Sequence, residues 1–206
     1  MAWFEPLITA LAIHSALTGG APRLRIALAL DARLPAAAGR FAVEESAVVW
    51  APYRVDVAQL NAATPCGTLD ALDAVLTVTL DDRSIGPAAW SSPFASIRFL
   101  SDGRPEDAIV VHGQAITRLA LEPLVINGTR EGQWPRALRD RIYGRIIGRV
   151  IAHEIGHWLL SREHSARGLM RAIHTAHDLA AVSREPFELA APDREKLQAV
   201  FAARGL

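Results

Sequence analysis

The chain has 206 residues and a mass of 22.3 kDa, the size of one domain, and half of it is hydrophobic, which excludes global disorder. Lys plus Arg and Asp plus Glu both number 22, a balance that argues against nucleic acid or a charged membrane surface as partner. The single cysteine, Cys66, excludes an intrachain disulfide and any metal site built from several cysteines.

Leu7 to Leu17 is mostly apolar and precedes Thr18-Gly19-Gly20-Ala21, the shape of a secretory signal. The start lacks a positive charge, carries Glu5, and has His14 inside the apolar stretch, as an amphipathic N-terminal helix would. Residues 1–21 are therefore expected to be a signal peptide or an N-terminal helix, and residues 22–206 the functional domain. The first alternative implies a secreted or periplasmic protein, the second a cytoplasmic one. No apolar run approaches the roughly 18 residues of a membrane span.

From Arg23, Leu24, Ile26, Leu28 and Leu30 alternate, which predicts a strand. Leu34 to Trp50 has helical character, and Tyr53 to Leu60 alternates again. Asn61 to Gly67 is turn-rich. A third strand is expected over Leu72 to Leu80, then a loop from Asp81 to Pro93. Ile97 to Leu100 and Ala108 to His112 predict short strands around a turn at Asp102-Gly103, and Leu124 to Ile126 another, before a loop to Gln133. Pro135 suits the first position of a helix. Ile142, Ile146, Val150 and Ile151 then recur at helical spacing, so the helix runs to about Leu160. Arg141, Arg145 and Arg149 form a stripe on another face, expected to be solvated or salt-bridged. A last helix is expected over Pro192 to Ala203, with Leu197, Val200 and Phe201 inward. The fold class is α/β or α+β in one domain.

The long helix contains His153-Glu154-Ile155-Gly156-His157. Histidines four apart share one helical face, roughly 6 Å apart along the axis, and their imidazoles can converge on one ion. Glu154 lies about 100° round from His153 and can reach a water on that ion. Zinc accepts imidazole nitrogen and keeps a position open for water when three protein ligands hold it. His164-Ser165 and then Gly168-Leu169-Met170 follow the helix. His164 is thereby a third ligand candidate, and Met170 a residue to lie beneath the site.

With these residues the chain resembles the metzincin zinc peptidases, most of all the matrixin branch, as a bacterial relative. The resemblance rests on HEIGH at 153–157, His164-Ser165, and Leu169-Met170 as the methionine-turn. It continues through Phe187-Glu188-Leu189, Asp193, Leu197-Gln198 and Phe201, about 50 residues in all. It implies a twisted mixed sheet, an active-site helix and a helical C-terminal subdomain. It further implies zinc held by His153, His157 and His164, with Glu154 as catalytic base, a peptide or protein substrate, and Met170 in support.

Two features depart from the family pattern. The usual third-ligand position holds Glu163, one residue before His164, and the usual glycine position holds Leu160, so the turn must differ and can use Ser161. His164 is favoured as ligand because it adjoins Ser165 and the methionine-turn; Glu163 stays open, and Glu185 or Glu188 would serve a site completed by a later glutamate. Three functions follow: a zinc endopeptidase, a metal-binding module of the same fold with weak or no catalysis, or a zinc hydrolase of a non-protein amide. His174 and His177 are expected to be solvated or capping. His112, at the end of a strand, is assigned to an edge strand that pairs with substrate. Cys66 lies in Pro65-Cys66-Gly67, an echo of a matrixin propeptide, but is expected to be a structural thiol.

Overall fold

A computed structural model describes residues 22–60, 71–82, 93–121 and 128–206. The N-terminal segment with His14, Cys66, and the strand expected over residues 124–126 lie outside the described residues. Among the described residues, no helix is long and apolar enough to cross a membrane.

The fold begins with a βαβ unit. Strand β1 (Leu24–Leu30) leads through helix α1 (Ala36–Trp50) to strand β2 (Val55–Gln59), parallel to it. Strand β3 (Ala74–Asp81) adds in parallel on the other side of β1. Strands β4 (Ala95–Phe99) and β5 (Pro105–His112) form a hairpin, turned at Gly103 with φ +84°. The hairpin completes a five-stranded mixed sheet of order β2-β1-β3-β5-β4, in which only β4 runs antiparallel to its neighbour. The architecture is thus mixed α/β, as the alternating early pattern predicts. Leu24, Ile26, Leu28, Leu76, Val78, Ile109 and Val111 turn inward, which is the period-two burial of a sheet covered mainly on one face.

Among the described residues, β5 pairs on both sides and β4 on one. The edge-strand assignment of residues 108–112 is therefore corrected. Their near-continuous apolar run (Ala108, Ile109, Val110, Val111) belongs to an inner strand, and the edge is Ala95–Phe99.

Helix α1 packs on β2, and two further helices follow the sheet in the chain. Helix α2 (Gly113–Leu121) follows β5 directly, and the sequence reading did not foresee it. Its cue is Ala115, Ile116 and Leu119, which are buried at helical spacing. The 24-residue helix α3 (Arg136–Leu159) starts after Pro135 and crosses α1 at close range. Glycine makes that approach: a Cβ on Gly144 would stand 2.4 Å from Phe41 Cβ, and one on Gly148 2.5 Å from the Ala42 carbonyl. The crossing is also hydrogen-bonded, by Ser46 Oγ to the Gly148 carbonyl (2.7 Å) and by Trp50 Nε1 to the Ala152 carbonyl (3.1 Å). The chain ends in a short helix α4 (Ala176–Ala180), a 3-10 turn over Glu185–Phe187, and helix α5 (Ala191–Ala203). Leu197 and Phe201 of α5 are buried and Val200 is half-buried.

Of the two expectations for the arginine stripe, solvated or salt-bridged, Arg149 meets the second, and it does so in the interior. Arg149 is fully buried, with its Nε 2.9 Å from Glu45 Oε1. Its other nitrogens donate to the carbonyls of Leu179 (3.3 Å) and Ser183 (2.8 Å). Arg184 also pairs with Glu45, at 2.7 Å, and Arg145 donates to the Ala180 carbonyl at 2.7 Å. One buried carboxylate and two cations thus fasten the segment from Asp178 to Arg184 onto α1 and α3. Only Arg141 stays outside, over the Phe41 ring at 5.3 Å.

Candidate metal centre

His153 and His157 stand on the C-terminal turns of α3. His153 Nδ1 lies 2.7 Å from the Leu169 carbonyl, and His157 Nδ1 lies 2.7 Å from the Ser161 carbonyl. A carbonyl only accepts, so each Nδ1 carries the hydrogen and each Nε2 keeps its lone pair. Those two Nε2 atoms face each other at 3.1 Å. Two bare lone pairs so close repel unless a cation sits between them. Nitrogens bound to one zinc at about 2.1 Å in a tetrahedron are roughly 3.4 Å apart, so the pair fits that ion.

His164 completes the group. One nitrogen from each of His153, His157 and His164 lies within 4.8 Å of the others, and no other histidine, cysteine or carboxylate among the described residues joins them. His164 is exposed, and its ring stands 5.4 Å from that of His153 and 4.8 Å from that of His157. Glu163 points to a different partner: its Oε2 pairs with Lys196 Nζ at 3.2 Å. Glu185 sits in the 3-10 turn, and Glu188 contributes its carbonyl to the Leu169 amide at 2.9 Å. The structure therefore gathers His164, and neither Glu163 nor a later glutamate, with the helical pair.

The turn that delivers His164 avoids a left-handed residue. Leu160 caps α3 with φ −107° and ψ −58°, and its amide still reaches the Gly156 carbonyl at 2.8 Å. Ser161 then accepts from the His157 ring through its carbonyl and from the Glu163 amide, at 3.2 Å, through its hydroxyl. Ser165 anchors the far end: its hydroxyl lies 2.7 Å from both carboxylate oxygens of Asp193, which is buried in the first turn of α5. Gly168 is needed at φ +79°, where a Cβ would also come within 2.2 Å of the Glu188 carbonyl. Met170 lies buried directly beneath the motif. A Cβ on Gly156 would stand 2.2 Å from its sulfur, which explains glycine at the fourth position of HEIGH.

Burial dominates the electrostatics. It lowers His153 to about 3, against the Leu169 hydrogen bond, and the neighbouring histidines lower it further. It lowers His157 also, with the Ser161 carbonyl opposing. Both rings are thus held neutral, the form that ligates. Glu154 is 5% exposed, and burial raises its carboxyl to about 7, with a backbone hydrogen bond from Ile97 on β4 acting the other way. A carboxyl poised near neutrality beside a candidate metal site suits proton transfer in either direction.

His112 lies apart from this group, 3.3 Å from Ser96 Oγ across the β4–β5 hairpin. His177 is exposed on α4. His174 is neither solvated nor a cap, contrary to expectation: it is half-buried, stacks on Phe187 at 4.7 Å, and reaches the Leu169 carbonyl at 3.2 Å. Glu45 and Arg149 were missed as a buried pair. Their signal is a charge inside each helix's apolar stripe: Glu45 among Ala38, Ala42 and Val49, and Arg149 among Ile142, Ile146 and Val150.

Comparison with protein-family models, with curated proteins and with solved structures gave no match.

Proposed function

We propose that the protein is a zinc-dependent endopeptidase of metzincin type. The observation that carries the reading is the trio of imidazoles, two with bare nitrogens face to face, on the helix that also bears the buried Glu154. The residues resembling a methionine-turn support it, since Met170 packs against Gly156 beneath the histidines. An antiparallel edge strand beside a carboxyl tied to its backbone supports an extended peptide as substrate.

His153, His157 and His164 would hold the zinc, which supplies a water of lowered pKa and polarises a substrate carbonyl. The hydrogen-bonded carbonyls of Leu169 and Ser161 orient the two helical rings. Glu154, near 7 in its buried setting, takes the proton of the attacking water and returns it to the departing amine. Secretion or a periplasmic location belongs to the same reading and rests on the apolar stretch from Leu7 to Leu17.

The test is Glu154→Gln, assayed beside wild type for zinc content and for cleavage of a mixed peptide library. Zinc near one per chain in both, with cleavage in the variant reduced by about 10²–10⁴-fold, is the expected result. Zinc uptake by wild type without cleavage of any peptide would leave a binding module or a hydrolase of another amide. Full activity in Glu154→Gln would remove the mechanism.

A further inference from the structure

We propose that His174 is a positioning residue for the metal centre, acting on His153 through a carbonyl that both rings share. The proposal rests on the metal-centre reading above. The Leu169 carbonyl oxygen lies 2.7 Å from His153 Nδ1 and 3.2 Å from His174 Nε2. A carbonyl oxygen has two lone pairs, and here each is directed to one imidazole.

The tautomer of His174 follows from its other side. Its Nδ1 lies 3.4 Å from Arg171 Nη2, and an arginine only donates. Nδ1 therefore accepts, and Nε2 carries the hydrogen that goes to Leu169. Arg171 is held in turn by Asp178 Oδ2 at 2.5 Å, and Asp178 belongs to the capping box of α4 with Thr175. A continuous chain runs from that cap through Arg171 and His174 to the Leu169 carbonyl and His153.

Both nitrogens of His174 are thus engaged, so it is not a fourth ligand. Its ring centroid is 5.9 Å from that of His153, and its flat face rests on Phe187 at an interplanar angle of 18°. Phe187 is buried and carries Arg149 at 4.5 Å on its ring. The His174 ring therefore cannot swing, and its N–H points at a fixed place.

The consequence lies in the plane of the Leu169 peptide. That carbonyl selects the Nδ1–H tautomer of His153 and the direction of its Nε2 lone pair. The Leu169 amide is bonded to Glu188 and restrains one side of the residue. His174 restrains the carbonyl side. Without its donor, among the described residues only the His153 ring holds the oxygen that orients that ring.

Zinc affinity of three forms of the full chain tests this: wild type, His174→Phe and His174→Gln. Phenylalanine keeps the stacking on Phe187 and removes the donor; glutamine restores a donor at a similar reach and gives up the stack. Each protein is stripped by dialysis against a chelator, then titrated with Zn²⁺ against a chromophoric competitor. Each is also loaded with Co²⁺ and its visible absorption recorded. The expectation is about tenfold weaker zinc binding in His174→Phe, the lower end of what losing an outer-shell partner costs. A changed cobalt band accompanies it, and His174→Gln recovers most of the affinity and the wild-type band. Should the phenylalanine variant not fold, His174→Met takes its place, since it also lacks a donor. Unchanged affinity and cobalt band in the donorless variant overturn the proposal and leave the metal centre standing. A glutamine variant no better than phenylalanine overturns it too, because returning a donor would then return no affinity. Wild type that takes up no zinc overturns the metal centre itself and this proposal with it.

Discussion

The helical half of the candidate centre and its loop half are built by different means. His153 and His157 are placed by one turn of α3, and each ring is locked at 2.7 Å by a backbone carbonyl. His164 is exposed and stands on a loop anchored beside it by the Ser165 hydroxyl on Asp193, 28 residues further on, and by the Ser165 amide on the Met170 carbonyl. Two candidate ligands are therefore placed by a local property of the chain, and the third by how the C-terminal segment packs.

That contrast can be broken most sharply at the ligands. In His157→Ala the helical pair is gone, and zinc should fall to near zero after gel filtration. His164→Ala keeps the facing nitrogens' geometry and should retain weak, chelator-labile zinc. The metal-free forms should differ as well. His164→Ala should stay within about 0.5 kcal/mol of wild type in urea unfolding, as a surface substitution does. His157→Ala, which removes a buried, hydrogen-bonded ring, should lose about 1–3 kcal/mol.

The packing that holds the loop half can be broken at Arg149→Met. The substitution leaves Glu45 buried with Arg184 as its only cation and frees the carbonyls of Leu179 and Ser183. A loss of about 3–5 kcal/mol is expected, with faster amide exchange over residues 178–184 than over α3.

Glu154 sharpens the helical side by its pH dependence. Its carboxyl stands at about 7 in the fold and 4.5 when unperturbed. The folded state therefore binds its proton more tightly, and the stability this contributes is present below 4.5 and lost as pH rises through about 7. Glu154→Gln has no such dependence. Moving metal-free protein from about pH 4 to about pH 8 should shift the stability difference toward the variant by about 3 kcal/mol. The low value of His153 acts in the opposite direction but equally in both proteins, so it cancels in the difference.

A smaller effect than at Arg149 or Glu154 is expected at Asp193→Ala, which frees Ser165. About 1–2 kcal/mol of stability should be lost, and zinc affinity should fall toward that of His164→Ala while the His153–His157 pair is untouched. Unchanged affinity would mean that the loop holds His164 without this anchor.

Much of this was legible in the chain and some was not. The strands from β1 to β5 follow alternation that burial reproduces, because a one-sided sheet imposes period two on its residues. The long helix follows from isoleucines at helical spacing, and its end from the cluster around His157. Helix α2 escaped because nine residues with three buried positions make a weak pattern. The sheet order escaped because strands of similar composition do not say which of them lies at the edge; Ile109 and Val111 look alike in either place. The buried pair of Glu45 and Arg149 was hidden by a rule that usually holds, that charges at helical spacing face solvent.

The sequence by itself determined the chemistry on offer: two histidines and a glutamate on one helix, where spacing alone sets direction, and a third histidine within reach after the turn. Tertiary structure decided which of Glu163 and His164 joins them, since that depends on a loop fastened to Asp193 in another helix. It also decided that Glu154 sits near neutrality, because it is buried beside β4, whose Ile97 lies far earlier in the chain. Local geometry is written in neighbouring residues; desolvation and the choice between adjacent side chains arise only when distant segments pack.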